Sequence, residues 1–78
     1  MIDITVDNNE VEVEQKKYHS FNDKNELARL IEDIVNKCLY SGESITLWIA
    51  KGEIKNLSQE WVNPHVSSYY MKIKEESK

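Results

Sequence analysis

The chain has few of the residues from which specialised sites are built. It has one cysteine among 78 residues, so an intramolecular disulfide is excluded, and the Cys/His spacings of zinc sites are absent. Its two glycines, Gly42 and Gly52, stand apart, which excludes a glycine-rich phosphate-binding loop. No run of about 18 apolar residues is present to span a membrane. We therefore expect no metal, no cofactor and no membrane partner.

The charge balance is acidic, and the basic residues are almost all of one type. There are 14 acidic against 10 basic residues, a net charge of −4, and Arg29 is the only arginine. Proteins that read nucleic acid use arginine forks and a clustered basic face, and neither is visible. We expect no nucleic-acid partner. The lone cysteine and the lack of a basic-then-apolar signal favour a cytoplasmic location.

The length predicts one small domain over residues 1–78, with a frayed tail at 75–78. A chain this short buries a thin core, and small domains often add a disulfide, a metal or a second subunit. Since a disulfide and a metal are excluded, a homodimer is the remaining way to stabilise the small hydrophobic core.

The first twenty residues predict a β-hairpin. Ile2, Ile4 and Val6 alternate with polar residues, Asp7-Asn8-Asn9 suits a tight turn, and Val11 and Val13 then alternate with glutamates. Whether the second strand ends near Glu14 or continues through Tyr18 to Ser20 is left open by the pattern.

Residues 23–40 predict an amphipathic helix. Its apolar residues recur at spacings of three and four, namely Leu27, Leu30, Ile31, Ile34, Val35, Cys38 and Leu39. Ser20 or Asn22 is expected to cap its start, and Gly42 to end it in the left-handed conformation. Cys38 lies on the apolar stripe, so a buried, unreactive thiol is the favoured interpretation.

The second half predicts two further strands. Ile45, Leu47 and Ile49 alternate with Thr46 and Trp48 in a strand that ends at a Lys51-Gly52 turn. Residues 53–64 are ambiguous, and we favour a short helical turn over about 57–62 that Pro64 ends. A last strand is expected over 66–74. The predicted order is β-β-α-β-(short helix or turn)-β, an α+β fold with three or four antiparallel strands and one helix on one face.

Charge predicts one strand pairing. Glu10, Glu12 and Glu14 share one face of a strand, and Lys72 and Lys74 carry the opposite charge at the same period. Since cross-strand pairs of opposite charge are favourable, strand 10–14 is expected beside strand 70–74.

The aromatic residues give the strongest indication of a functional surface. If the aliphatic residues of strand 45–49 face the helix, Trp48 and Tyr70 lie on the opposite face of the sheet, and tryptophan and tyrosine often dominate binding energy. The alternative is that Trp61, in a loop over 53–64, covers Trp48 in a second small core. The predicted partner-binding residues are Trp48, Trp61, Tyr69, Tyr70 and His65, with Glu10, Glu12 and Glu14 as a charged rim.

No catalytic motif is present, so the leading hypothesis is not an enzyme. His19 and His65, the only histidines, lie near element boundaries and belong to no catalytic pattern. The sequence favours a small binding protein that contacts another protein as an inhibitor, adaptor or regulator, for example an anti-defence or host-takeover protein of a virus. The alternatives are an accessory subunit that works as a homo-oligomer, and a small enzyme whose site is shared across a dimer interface.

Overall fold

The computed structural model describes residues 1–50 and 52–76, with the backbone alone at residue 63. Its strands are β1 (Ile2–Asp7), β2 (Glu10–Val13), β3 (Lys16–Ser20), β4 (Ile45–Ile49) and β5 (Gly52–Lys55). Its helices are α1 (Lys24–Ser41), α2 (Gln59–Trp61) and α3 (Ser67–Glu76), with a π-helical turn over Val62–Val66 between the last two. The predicted α+β fold is confirmed. Within the described residues, none of the helices combines the length and apolar character needed to cross a membrane.

The five strands form one mixed sheet in the order β3-β2-β1-β4-β5, one strand more than the upper limit predicted. β1 and β4 pair in parallel, and the other neighbours pair antiparallel. The predicted strand 45–49 is therefore internal. β5, which the sequence left ambiguous, forms a hairpin with β4, and Lys51 of the predicted turn lies outside the described residues.

Two-residue turns define the first three strands. Asn8 and Asn9 join β1 to β2 with φ of 50° and 62°, as their tolerance of left-handed backbone predicts. Glu14 and Gln15 join β2 to β3 in the same way, with φ of 52° and 66°. The alternative of one continuous strand from residue 10 to Ser20 is therefore wrong, and the sequence did not show the break because Glu and Gln give no signal for a left-handed turn.

Helix α1 occupies the predicted region but is capped by a different residue. Asp23 has extended backbone, and its carboxylate accepts a hydrogen bond from the Glu26 amide at 2.9 Å. The Glu26 side chain reaches back to accept from the Asn22 amide at 3.1 Å, one residue before the cap, which resembles a capping box shifted by one residue. Ser20 and Asn22 are thus not the cap. Gly42 ends the helix with φ 77°, as predicted.

The hydrophobic core lies between the sheet and the helical layer. Its buried residues come from α1, from the inward side of β1, β2 and β4, and from the C-terminal segment; those on the strands include Ile4, Val6, Val11, Ile45, Leu47 and Ile49. Cys38 is buried with them, as expected. Leu39 was predicted on the same stripe but is 47% exposed, since it lies at the margin of the apolar arc.

The C-terminal segment is helical, so the predicted strand 66–74 is wrong. Val62, Val66 and Tyr70 recur every four residues and are buried against α1, and this packing outweighs the alternation around Tyr69 that suggested a strand. The short predicted helix begins at Gln59, but Pro64 does not end it. The chain widens into a π-helical turn at Pro64, a geometry that accommodates a local break in the helical hydrogen-bond ladder.

The proposed pairing of strand 10–14 with residues 70–74 is also wrong. β2 lies between β3 and β1, and the lysines assigned to a strand belong to α3. The carboxylate of Glu10 instead pairs with Lys17 on β3 at 3.6 Å. The glutamate strand does have a basic partner in the sheet, but the lysine comes from β3, the next strand along the chain.

Candidate functional site

Within residues 1–50 and 52–76, one face of the sheet carries no helix, because α1 and the C-terminal helical segment contact each other on the opposite side. Strand alternation and register place a defined set of side chains on this uncovered surface, which we call the outer face. Its residues are Asp3, Thr5, Asp7, Glu10, Glu12, Lys17, Thr46, Trp48, Glu53 and Lys55. The surface crosses all five strands.

Trp48 lies near the middle of the outer face. It is 39% exposed, whereas the residues before and after it on β4 are fully buried. Register places Thr5 of β1 on one side of it and Glu53 of β5 on the other. Thr5 is small, and a shallow depression of about 420 Å³ opens beside the indole, lined among others by Asp3, Asp7 and Gln15. The prediction that Trp48 faces away from α1 is confirmed.

The charge of the outer face is predominantly negative. Lys17 pairs with Glu10 at 3.6 Å, and Lys55 pairs with Glu53 at 3.5 Å. In residues 1–50 and 52–76, no ammonium group forms an ion pair with the carboxylates of Asp3, Asp7 or Glu12. Asp7 and Glu10 also oppose each other directly in the β1–β2 ladder, an unfavourable arrangement of like charges.

An apolar margin adjoins Trp48 along β4. The sulfur of Met1 lies 3.0 Å from the hydroxyl of Thr46, and Thr46 is only 6% exposed beneath it. Met1 itself is 76% exposed. The outer face therefore combines this apolar margin, formed by Met1 and Trp48, with carboxylates on β1 and β2.

The predicted binding residues divide into separate groups. Trp48, Glu10 and Glu12 share the outer face, while Glu14 lies in the β2–β3 turn, where its carboxylate accepts from the Asp3 amide at 3.4 Å. Tyr70 is not on this face. It is buried in the core, with its ring 5.5 Å from that of Phe21 and its hydroxyl donating to Asn9 at 3.3 Å.

Trp61, His65 and Tyr69 form a second aromatic cluster on the C-terminal helical segment. The Trp61 ring centroid lies 5.5 Å from that of His65 and 6.2 Å from that of Tyr69. Trp61 and Tyr69 are half-buried against the core. The alternative in which Trp61 covers Trp48 is therefore wrong, because this segment packs on the side of the sheet that faces α1.

A cleft of about 380 Å³ lies between His19 of β3 and the flank of α1, where Arg29 and Asp33 line it. The Asp33 carboxylate in this cleft already has two partners: the Tyr18 hydroxyl donates to it at 2.8 Å, and the Lys37 ammonium group forms an ion pair with it at 3.1 Å. The Tyr18 hydrogen bond, followed by that from Lys37, holds the pKa of Asp33 below its ordinary value. These contacts tie the edge strand to α1, which is a structural role.

Reactive groups are not assembled elsewhere in the described residues. Burial, followed by the nearby carboxylates of Glu43 and Glu14, raises the pKa of the Cys38 thiol, which favours its neutral form. Nδ1 of His19 lies 2.6 Å from the Ser20 carbonyl oxygen, which can only accept, so Nδ1 carries the proton in that hydrogen bond. Across residues 1–50 and 52–76, no three His, Cys, Asp or Glu side chains converge as a metal site would need.

The sequence signal for the site was the alternation of residues 2–7 and 45–49. That signal is incomplete, because Asp3, Thr5 and Asp7 complete the surface around Trp48 only when β1 and β4 are neighbours in the sheet. No protein-family model, curated protein or solved structure matches the chain.

Proposed function

We propose that the protein is a small binding protein without catalytic activity, which contacts another protein through the outer face and acts as an inhibitor, adaptor or regulator. The observation that carries the proposal is the position of Trp48, 39% exposed between β1 and β5 on an uncovered, acidic sheet face. Tryptophan is the residue type that most often dominates binding energy at interfaces. The single, buried cysteine fits the cytoplasm as its compartment.

The dimensions of the outer face favour a limited contact. Five strands about 4.8 Å apart and about five residues long give a flat area of roughly 300 Å². A standard protein–protein interface buries about 800 Å² of accessible surface on each partner, which exceeds the projected area of the same patch because side chains add relief, and obligate subunits bury more. The outer face therefore suits one segment or projection of a partner better than a permanent subunit interface.

The homo-oligomer is the second candidate, and two features weigh against it. A second copy facing the outer face would bring carboxylates against carboxylates. The sheet edges are also protected: β3 carries Lys16 and Lys17 beside a register irregularity in its pairing with β2, and β5 is only four residues long. A monomer is expected at micromolar concentration by light scattering after size exclusion.

The experiment compares tagged wild-type protein with Trp48→Ala in quantitative capture from extracts of cells that naturally carry the gene. Tyr40→Ala is the matched control, since Tyr40 is an aromatic residue 97% exposed on α1. We expect at least one protein to be enriched by the wild type and by Tyr40→Ala and lost with Trp48→Ala. Circular dichroism must show that both variants are folded.

Two results would count against the proposal. Captured proteins that bind Trp48→Ala as well as the wild type would remove the outer face as the binding surface. A stable dimer whose dissociation exposes Trp48 to a soluble quencher would favour the accessory-subunit alternative instead.

A further inference from the structure

The depression beside Trp48 has a geometry that indicates the chemistry of its occupant. Asp3, Thr5 and Asp7 alternate on the outward side of β1, so the two carboxylates lie at opposite ends of the depression with Thr5 between them. Four residues of extended strand separate Asp3 from Asp7 by about 13 Å. Trp48 lies beside the midpoint, because it is in register with Thr5.

This spacing excludes one metal ion shared by the two carboxylates, since metal–oxygen distances are only about 2–2.6 Å. It matches instead an extended peptide in which residues i and i+4 lie on one side, with residue i+2 between them. The two outer positions would face carboxylates, and the middle position would face an indole ring.

We propose that the outer face receives an extended cationic segment of a partner protein, with arginine at alternate positions. The middle arginine lies over Trp48, and the flanking guanidinium groups pair with Asp3 and Asp7. This inference rests on the proposed function and specifies the partner for that surface. Arginine is named because its planar guanidinium both stacks on an indole and pairs with a carboxylate through two N–H groups.

Charge complementarity supports this occupant over a neutral one. The carboxylates of Asp3, Asp7 and Glu12 form no ion pair with a lysine or arginine in the described part of the chain. Asp7 also faces Glu10 across the ladder; Lys17 pairs with Glu10, and an incoming cation would supply a counter-charge for Asp7. Glu12 adjoins Thr5 on the side away from Trp48 and adds to the negative field.

The probe is a capped peptide, Arg-Gly-Arg-Gly-Arg, titrated into isotopically labelled full-length protein and followed by NMR. The same peptide with citrulline at all three positions keeps the shape and removes the charge, and a lysine version removes the planar fork. We expect the arginine peptide to shift the Trp48 indole N–H and the Thr5 amide, with the lysine peptide weaker and the citrulline peptide weakest. Each exposed contact is worth about 2- to 5-fold in affinity.

Paired charge variants test the carboxylates. The double variant Asp3→Asn with Asp7→Asn is expected to weaken arginine-peptide binding by about 3- to 20-fold. The asparagine at position 7 still offers a side-chain oxygen to the Asn8 amide, so the turn keeps its hydrogen bond. Glu75→Gln with Glu76→Gln removes the same net charge from exposed positions on α3 and is expected to change affinity less than about twofold.

The inference is overturned if citrulline and arginine peptides bind equally, if the shifts avoid Trp48, or if no shift is seen at about 10 mM peptide, beyond the range of useful weak binding. Partner capture separates this from the proposed function. Capture that needs Trp48 but is unchanged by the Asp3/Asp7 double variant leaves the proposed function standing and removes the cationic segment. Capture that ignores Trp48 removes both.

Discussion

The start of helix α1 gives a quantitative test of the fold, through Asp23→Ala. The Asp23 carboxylate accepts from the Glu26 amide at 2.9 Å, and alanine leaves that amide without its partner at the helix end. Loss of such a cap costs about 1 kcal/mol, within a range of about 0.5–2. At about 2.1 cal/mol/K per residue, unfolding of this chain has an entropy near 0.16 kcal/mol/K, so Tm should fall by about 6 °C.

Matched variants locate the cap. Asp23→Ser keeps a side-chain acceptor and should lose less than about 0.5 kcal/mol. Ser20→Ala and Asn22→Ala remove the side chains that the sequence favoured as caps, and both should stay within about 0.5 kcal/mol of the wild type. The Asn22 variant keeps its backbone donation to Glu26, which needs no side chain.

The assay is thermal unfolding followed by circular dichroism at 222 nm, with urea titrations for the free energy of unfolding. A cap at Asp23 is ruled out if Asp23→Ala melts within about 1 °C of the wild type while Asn22→Ala or Ser20→Ala loses about 5 °C or more. That pattern would place the first turn of α1 earlier in the chain than Lys24.

Three further predictions concern separate features. Gly42 has φ 77° and no atom within 4 Å of an added Cβ, so Gly42→Ala should cost about 1 kcal/mol through backbone strain alone, and Gly42→Asn less, measured in urea. The pKa of Asp33 is lowered chiefly by the hydrogen bond from the Tyr18 hydroxyl. The ionised Asp33 carboxylate therefore stabilises the fold fully above the unfolded-state pKa, and this stabilisation is lost as pH falls through the lower folded-state pKa. Tyr18→Phe should reduce this acid dependence of the free energy of unfolding, measured in urea titrations. Burial raises the pKa of Cys38, so a disulfide reagent at pH 8 should react at least about tenfold more slowly than with the urea-unfolded chain.

Local pattern accounts for the elements that were predicted correctly. The apolar spacing of α1 from Leu27 to Leu39 spans more than three turns, and the Gly42 terminus needs only a residue that tolerates left-handed backbone. Strand 45–49 alternates without interruption, so its buried and outward sides were assigned correctly, including Trp48. The same alternation in β1 predicted which residues of that strand face outward.

The C-terminal segment shows why the remaining assignments failed. Residues 69–73 alternate like a strand, while Val62, Val66 and Tyr70 repeat like a helix, and a short window does not separate the two periods. Contact with α1 selects the helical period because it buries all three side chains. Pro64 biased the prediction against this outcome, since a π-helical turn has no strong local signal.

Composition and periodicity were enough to predict an acidic α+β domain with one amphipathic helix and an outward-facing Trp48. The residues that surround that tryptophan depend on the strand order. The parallel pairing of β1 with β4 joins segments about forty residues apart, and it places Thr5 beside Trp48 with Asp3 and Asp7 on either side. Strand order depends on long-range burial of the whole core, whereas alternation depends only on neighbouring residues. The outward side of each strand could therefore be predicted from the sequence, but the set of residues that share the outer face could not.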